Sequence, residues 1–217
     1  MSHLIGFLSV FFALTGGSEY EPQAGDLFFQ DLDCGGFCDA IEAVTEGVDG
    51  ADFSHVGIVA EIDGHLIIAE AGGNGVVLTN IDSFLNRSHD KLGNPKVIVG
   101  RMKNVEWMQD LNWEQALEPY LGKPYDETFD LNNDAYYCSE LIVRLCFDHS
   151  FERYFEINTM TFKEPDTREF YKIWSDYFAE LGEPIPEGEP GYNPGMMSRS
   201  EFVEIVHIYG HPTGFHP

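Results

Sequence analysis

Tight-turn sequences divide the first half of the chain into apolar segments of strand length. Asp63-Gly64 is a dipeptide typical of two-residue hairpin turns and separates two such segments, and the glycine-rich residues 72–75 separate the second from a third. Strands that follow one another through tight turns pair antiparallel, so this pattern predicts an antiparallel sheet. The predicted strands cover residues 25–30, 54–62, 65–71, 76–80 and 97–102.

The second half of the chain has helical periodicity instead. Residues 183–197 contain four prolines and three glycines and are predicted to form a loop. A sheet followed by helices predicts the α+β class, and the length of 217 residues suits one sizeable core, which we place in a single domain over residues 18–217. The remaining predicted elements are a short helix over 34–45, helices over 105–121, 138–147 and 166–181, and a final element over 201–209.

The N-terminus has the character of a secretory signal. Residues 4–14 are apolar, too short to span a bilayer, and followed by small residues, although no Lys or Arg precedes them. We predict a signal peptide over residues 1–17, hence export to the periplasm or cell exterior without stable membrane insertion after cleavage. The alternative is a buried N-terminal strand or helix in a cytoplasmic protein.

The charge balance argues against anionic partners. Lys and Arg number 12 against 37 Asp and Glu, which gives a formal net charge of −25. Such a surface repels nucleic acid and anionic lipid headgroups, so we expect neither as a partner.

Two of the four cysteines are close in sequence. Cys34 and Cys38 could form a disulfide in an exported protein, although within one helical turn that bond would be strained. They lack nearby partners for a zinc site, and the other histidines show no metal-ligand spacing, so we predict neither a metal nor a cofactor.

Cys138 is the best candidate for a nucleophile. It begins a predicted helix, where the positive end of the helix dipole favours a thiolate over the thiol, whose ordinary pKa is about 8.5. The alternative is a core thiol on an apolar helix face. Cys146 lies on the same face and is expected to be a small buried hydrophobic residue.

His55 and Glu70 are candidates for the base and for the group that orients it. A hairpin that turns at Asp63-Gly64 brings His55 opposite residue 70 or 71, so that the carboxylate can accept a hydrogen bond from the imidazole. The alternatives are a structural histidine at a strand start and one surface acid among many. The Tyr137 hydroxyl could donate to an oxyanion, or the ring could simply be buried.

Six motifs spread over the chain resemble one family. From Gly25 to Phe202 the sequence is similar to the YiiX/YebB-like cysteine hydrolases, which are circularly permuted relatives of the NlpC-type papain-fold peptidases. The histidine-before-cysteine order is the mark of that permutation. The motifs are GDLFFQ, SHVGIV, IIAEA, VIVGRM, GKPYD and YYCSELI, with the tail PEGEPGYNPGMMSRS.

The resemblance implies a papain-like fold in which a helix carrying the catalytic cysteine packs on an antiparallel sheet. It implies Cys138 as nucleophile, His55 as base and Glu70 as third residue. Tyr125 and Ser54, which lie in the matching motifs, join Tyr137 as predicted oxyanion or substrate-binding residues.

The implied reaction is attack on an amide or ester carbonyl through a thioester. The leading hypothesis is a cysteine peptidase or amidase acting on a small peptide or acyl amide, with cell-wall peptides among the candidate substrates. Acyl transfer or lipid amidase chemistry with the same three residues is the second hypothesis. A non-catalytic binding module that retains the fold is the third.

Overall fold

A six-stranded antiparallel sheet forms the centre of the protein, with the strand order β4-β3-β2-β1-β5-β8. The computed structural model describes residues 20–217, so the predicted signal peptide lies outside the described residues. The strands of the sheet are β1 (Asp26–Gln30), β2 (His55–Ile62), β3 (His65–Gly72), β4 (Gly75–Thr79), β5 (Val97–Met102) and β8 (Val203–Ile208); β6 (Asn158–Thr159) and β7 (Pro190–Gly191) form a separate two-stranded pair.

The predicted hairpin turn is confirmed. Asp63 and Gly64 have φ values of 52° and 75°, and Ile62 pairs with His65 across the turn. Positive φ at both central residues is what a type I′ turn requires, and this turn suits the natural twist of two strands. The turn therefore sets the register of β2 against β3.

The chain has six α-helices within residues 20–217. The longest, α4, crosses strands β2 and β3 and buries Leu141, Ile142 and Leu145 in the main core. The predicted α+β class, with a cysteine-bearing helix packed on an antiparallel sheet, is confirmed. The helices are α1 (Gly36–Glu42), α2 (Ile81–Leu85), α3 (Trp113–Leu117), α4 (Cys138–Ser150), α5 (Lys172–Leu181) and α6 (Pro194–Ser198).

Two smaller apolar clusters complete the packing. On one side Phe28, Val59 and Ile68 pack with Phe84 of α2. A separate aromatic cluster lies between α1 and α5; its buried members are Ala40, Phe129, Tyr137, Phe162, Trp174 and Phe178. Each cluster contributes one wall of the site described below.

The predicted helix over residues 105–121 is wrong in its extent. The structure has a short 3₁₀ turn, Glu106–Met108, and then a new helix, α3. The Asn112 side chain accepts a hydrogen bond from the Gln115 backbone N–H at 3.0 Å and so caps α3. Because such a cap starts a helix, the two pieces stay separate.

Two other predicted boundaries also move. The helix predicted over residues 166–181 begins only at Lys172, because Arg168 has a φ of 64° and residues Lys163 and Phe170 form an isolated bridge. The predicted loop over residues 183–197 contains β7 and part of α6.

The four cysteines differ in their chemical state and burial. Cys34 and Cys38 form a disulfide, with Cys34 before α1 and Cys38 inside it. Cys146 is 1% exposed, and burial raises the pKa of its thiol to about 12, which confirms it as a buried hydrophobic residue. Cys138 is free.

Within residues 20–217, no helix combines the length and the apolar character that crossing a bilayer needs.

Candidate active site

Cys138 is the first residue of the thirteen-residue helix α4. The preceding residue, Tyr137, has an extended backbone with φ −92° and ψ 168°. The first backbone N–H groups of a helix have no intrahelical acceptor and form the positive end of its dipole. Cys138 is only 6% exposed, so its sulfur lies in this field with little water around it.

His55 and Glu70 meet through a diagonal of the β2–β3 pair. The pairing of Ile58 with Ala69 continues to place Glu70 opposite Gly57, and His55 opposite Gly72. The prediction that residue 70 or 71 lies directly opposite His55 is therefore wrong. Ile62 pairs with His65 at the turn, and the same register continued to His55 reaches Gly72. Residues two apart share a face of a strand, and diagonal neighbours are within reach of long side chains.

The two side chains form a short hydrogen bond across that diagonal. His55 Nε2 lies 2.6 Å from Glu70 Oε2, and both residues are buried. Gly57 between them matters, because a Cβ there would lie 2.4 Å from Ile68 Cγ2 and 3.2 Å from a Phe84 ring carbon. A larger residue would push Phe84 away from the imidazole, on which it stacks at 5.6 Å.

The Glu70 carboxylate is surrounded by donors. Arg87 donates to both of its oxygens, at 2.7 Å to Oε2 and 2.5 Å to Oε1, and the Thr79 hydroxyl also donates to Oε1. Burial alone would raise the pKa of Glu70, but the hydrogen bonds from His55 and Arg87 outweigh it and lower the pKa to about 2. Glu70 is thus an anion at any physiological pH.

His55 is hydrogen-bonded to Glu70 and lies close to Cys138. Burial disfavours the imidazolium, but the neighbouring Cys138 and the hydrogen bond to Glu70 more than compensate and raise the pKa of His55 to about 9. Because Nε2 is engaged by Glu70, Nδ1 is the atom that remains for Cys138. His55 is the first residue of β2 and Cys138 the first residue of α4, so the two side chains come together where both elements begin.

Sequence reasoning missed Thr79 and Arg87. Thr79 had a usable signal, since it lies two residues beyond Val77, the partner of Glu70, and so shares the face of that carboxylate. No sequence signal pointed to Arg87, because it lies after the end of α2, where neither helix nor strand periodicity predicts the direction of a side chain. Arg87 also lies over the Phe84 ring, 5.0 Å from its centre.

Tyr125 is held beside Cys138 by backbone hydrogen bonds. The Tyr136 N–H donates to the Pro124 carbonyl at 3.1 Å, and the Asp126 N–H donates to the Tyr136 carbonyl at 3.2 Å. Burial raises the pKa of Tyr125 well above its ordinary value, and the nearby Cys138 adds to this. Within residues 20–217, the Tyr125 hydroxyl has no hydrogen-bond partner in this structure.

The other two predicted hydroxyls have partners. Tyr137 Oη accepts a hydrogen bond from the Tyr192 backbone N–H at 2.9 Å, so it anchors the residue after β7 to the start of α4. Ser54 Oγ accepts one from the Leu32 N–H at 3.0 Å.

A cavity of about 150 Å³ opens beside Cys138. Its walls are largely aromatic at the end formed by Phe129, Phe162 and Trp174. The three predicted hydroxyl residues, Ser54, Tyr125 and Tyr137, line the same cavity as Cys138. So does Ser139, whose buried Oγ has no hydrogen-bond partner within residues 20–217.

Comparison with known proteins now identifies the family. Residues 21–207 match the family described as "permuted papain-like amidase enzyme, YaeF/YiiX, C92 family". The chain belongs to this family. The resemblance drawn from the six motifs is confirmed, and the family description supports an enzyme that acts on amide bonds.

Two relatives illustrate how this chain compares with other members of the family. It is 32% identical over 126 residues to "Uncharacterized protein YiiX" of Escherichia coli (strain K12), and the match spans 57% of this chain and 56% of that relative. A crystal structure titled "metalloprotein yiiX" from Escherichia coli O157:H7 superposes with a TM-score of 0.70 at 26% identity, covering 88% of this chain and 99% of that one.

The metalloprotein title belongs to that relative. Among residues 20–217 of this family member, His, Cys, Asp and Glu form no group of three or more arranged to hold a metal ion.

Proposed function

We propose that this protein is a cysteine hydrolase that cleaves an amide bond through a thioester, with Cys138 as nucleophile, His55 as base and Glu70 as the group that orients His55. The observation that carries the proposal is the hydrogen bond between the buried Glu70 carboxylate and His55, whose imidazole lies close to the thiol at the start of α4. A nucleophile, a base and a group that fixes the base are what this chemistry requires.

At neutral pH the thiol proton is held by His55 Nδ1 before substrate binds, in keeping with the raised pKa of His55, so the reacting pair is an imidazolium and a thiolate. The thiolate then attacks the substrate carbonyl carbon, and the carbonyl π pair moves to oxygen as the C–S bond forms. The imidazolium returns its proton to the amide nitrogen, the C–N bond breaks, and the amine leaves. Water, deprotonated by His55, attacks the thioester and releases the acid and the thiol.

Glu70 keeps the ring oriented during these transfers. Its carboxylate accepts the Nε2–H and so keeps Nδ1 toward Cys138. Arg87 holds both carboxylate oxygens, which limits rotation of the Glu70 side chain. We assign Arg87 as a positioning residue because it contacts Glu70 and not the reacting atoms.

Tyr125 and the backbone N–H of Cys138 are the proposed donors to the oxyanion. The Tyr125 hydroxyl lines the cavity and has no partner within residues 20–217 to give up. Donors that are already in place when charge develops cost no reorganisation, which is why such groups lower barriers effectively. Tyr137 remains a further predicted donor, since its oxygen accepts from Tyr192 and its own hydrogen is free.

The substrate class follows from the cavity. Its aromatic end favours an apolar group next to the scissile carbonyl, as in an acyl amide or a peptide with an apolar side chain. The same feature favours acyl transfer as the second candidate function, because an alcohol or amine in place of water would accept the acyl group from the same thioester.

Export remains part of the proposal. The Cys34–Cys38 disulfide supports it, because disulfides persist in oxidising compartments and are rare in the cytosol. A periplasmic or extracellular location would also agree with a substrate derived from the cell wall.

Alkylation by iodoacetamide, followed across pH for each cysteine by mass spectrometry, tests the activated thiol without a known substrate. We expect fast labelling of Cys138 that persists into the acidic range in wild type and is lost in His55→Ala. Cys146 is the internal control, since its buried thiol should stay unlabelled in the folded protein. Slow labelling of Cys138 with an ordinary thiol pKa in both proteins would favour the binding-module hypothesis.

Turnover is tested with matched cysteine variants. Cys138→Ala should abolish hydrolysis of peptide and acyl-amide substrates while leaving the fold intact, whereas Cys146→Ala should retain activity. Product analysis with an added alcohol or amine separates hydrolysis from acyl transfer. Full activity in Cys138→Ala would exclude the proposed nucleophile.

A further inference from the structure

A second, larger cavity continues the one at Cys138. It has a volume of about 720 Å³, and Asn158, Asn193 and Met196 line both cavities. Its walls come from residues 153–158, which follow α4, and from residues 193–202, which contain α6. The two cavities therefore adjoin and share a wall, and we refer to them together as the groove, with the aromatic residues in the Cys138 cavity and the larger cavity beside it.

Two arginines face the larger cavity. Arg153 and Arg199 both line it and are exposed. Positive groups are scarce in this protein, which has 12 Lys and Arg against 37 Asp and Glu. Within residues 20–217, Arg87, Arg101 and Arg144 form salt bridges, whereas Arg153, Arg168 and Arg199 form none. Two of the three arginines with free guanidinium groups thus share one cavity.

The field of Arg153 reaches the wall of the Cys138 cavity. Burial raises the pKa of Tyr192, which lines that cavity, and the Arg153 guanidinium is the first influence that opposes the rise. An anion in the groove would experience the same attraction. The Arg153 guanidinium is therefore close enough to the wall of the Cys138 cavity to act on a charge there.

Acidic residues in the same cavity limit the charge it can accept. Glu156 and Glu201 line it too, and neither forms a salt bridge with Arg153 or Arg199 in the part of the chain that the structure describes. The two glutamates would repel the second charge of a phosphate monoester. A single negative charge, as on a carboxylate, suits the balance better.

We propose that this groove binds a substrate that carries a carboxylate, held by Arg153 and Arg199, while an apolar group occupies the aromatic end beside Cys138. The planar fork of a guanidinium matches the two oxygens of a carboxylate. This inference rests on the proposed function for its placement of the scissile carbonyl at Cys138. It restricts the substrate class to amides or esters whose remote end is a carboxylic acid.

Isothermal titration calorimetry on the full-length protein tests the charge preference directly. The probes are octanoate, octanol and heptyl phosphate, which have similar chain lengths and contain no amide bond or carboxylic ester that the enzyme could cleave. We expect octanoate to bind about two- to fivefold more tightly than octanol, the ratio typical of an exposed ion pair. Added salt should reduce that ratio.

Matched variants locate the preference. The double variant Arg153→Gln/Arg199→Gln should lose the advantage of octanoate while its affinity for octanol stays unchanged. Arg168→Gln removes an exposed arginine that lines neither cavity, and it should behave as wild type. Circular dichroism of each variant establishes that the fold is retained.

Three results would overturn the inference. They are equal binding of octanoate and octanol in wild type, absence of binding by all probes, and an octanoate advantage that survives in the double variant. Tighter binding of heptyl phosphate than of octanoate would overturn the carboxylate assignment. Because calorimetry does not depend on thiol reactivity, an inert Cys138 with an intact charge preference would contradict only the proposed function.

Discussion

Glu70 shows how a single residue gains its chemistry from its neighbours. In the sequence, only its position in a predicted strand separates Glu70 from the other acidic residues, of which the chain has 37 in all. In the structure, Glu70 is 2% exposed and accepts hydrogen bonds from His55, Thr79 and Arg87. A buried carboxylate without such donors would be protonated or displaced. The site therefore depends on residues outside the proposed triad.

Arg87 gives the first residue-scale prediction. Replacement of Arg87 by Gln removes the cationic partner that helps to hold the pKa of Glu70 near 2, so that pKa should rise toward its ordinary value of 4.5. The acid limb of Cys138 alkylation should move to higher pH as a result. Arg87→Lys, which keeps the charge but not the two-pronged contact, should give an intermediate profile. An unchanged pH profile in Arg87→Gln would show that Arg87 has only a structural role.

The hydroxyls of Tyr125 and Tyr137 should respond differently to removal. Tyr125→Phe should lower kcat by about a hundredfold, as for the loss of one oxyanion donor, with little change in Tm because the hydroxyl has no hydrogen-bond partner among residues 20–217. Tyr137→Phe removes the acceptor of the Tyr192 N–H and should cost about 1 kcal/mol of unfolding free energy. Steady-state kinetics and thermal unfolding of both variants check this. The reverse pattern would assign the oxyanion role to Tyr137.

At the scale of elements, the hairpin was predictable and the parts around it were not. Asp63-Gly64 predicted the turn and, through it, the proximity of His55 and Glu70, although the predicted partner of His55 was one or two residues short of Gly72. The cap at Asn112 and the Asn193-Pro194 start of α6 were local signals that could have been read, since Asn at the cap and Pro at the next position favour helix starts.

Contacts between segments that are distant in the sequence could not be predicted from it. The Val76 N–H donates to the Lys123 carbonyl at 2.9 Å, and a Cβ on Gly75 would lie 2.3 Å from that oxygen. This contact places the Tyr125 loop against β4, yet nothing in local periodicity specifies which loop docks on which strand. The same holds for Arg87 and for the cavity that adjoins Cys138.

Gly57 provides an element-scale prediction. Gly57→Ala should lower the unfolding free energy by about 1–3 kcal/mol, because the new methyl group overlaps Ile68 and crowds Phe84. Displacement of Phe84 should also slow Cys138 alkylation by disturbing the stacked His55 ring. Urea unfolding measures the first effect. Gly73→Ala, where an added Cβ meets nothing within 4 Å, is the control and should be nearly neutral.

For the whole molecule, stability should depend on pH through the buried pair. The pKa of His55 is raised from 6.5 to about 9, so its contribution is complete below 6.5 and is lost as pH rises through 9. The pKa of Glu70 is lowered from 4.5 to about 2, so its contribution is complete above 4.5 and is lost as pH falls through 2. Both contributions are complete only between pH 4.5 and 6.5.

Urea unfolding of wild type and His55→Gln at a series of pH values checks this dependence. The advantage of wild type over the variant should shrink as pH rises from 6.5 to 9. Below pH 6.5 the advantage should be constant down to the acid range in which Glu70 titrates. A constant difference across the alkaline range would mean that His55 is not charged in the folded protein.

The order of the three residues along the chain has a consequence for synthesis. His55 and Glu70 belong to one hairpin, whereas Cys138 lies in a helix formed much later in the sequence. Chains emerge from the ribosome N-terminus first, and contacts of short sequence separation form fastest. The His55–Glu70 pair can therefore form before Cys138 has been synthesised. A nascent chain should thus lack hydrolase activity until its second half has folded.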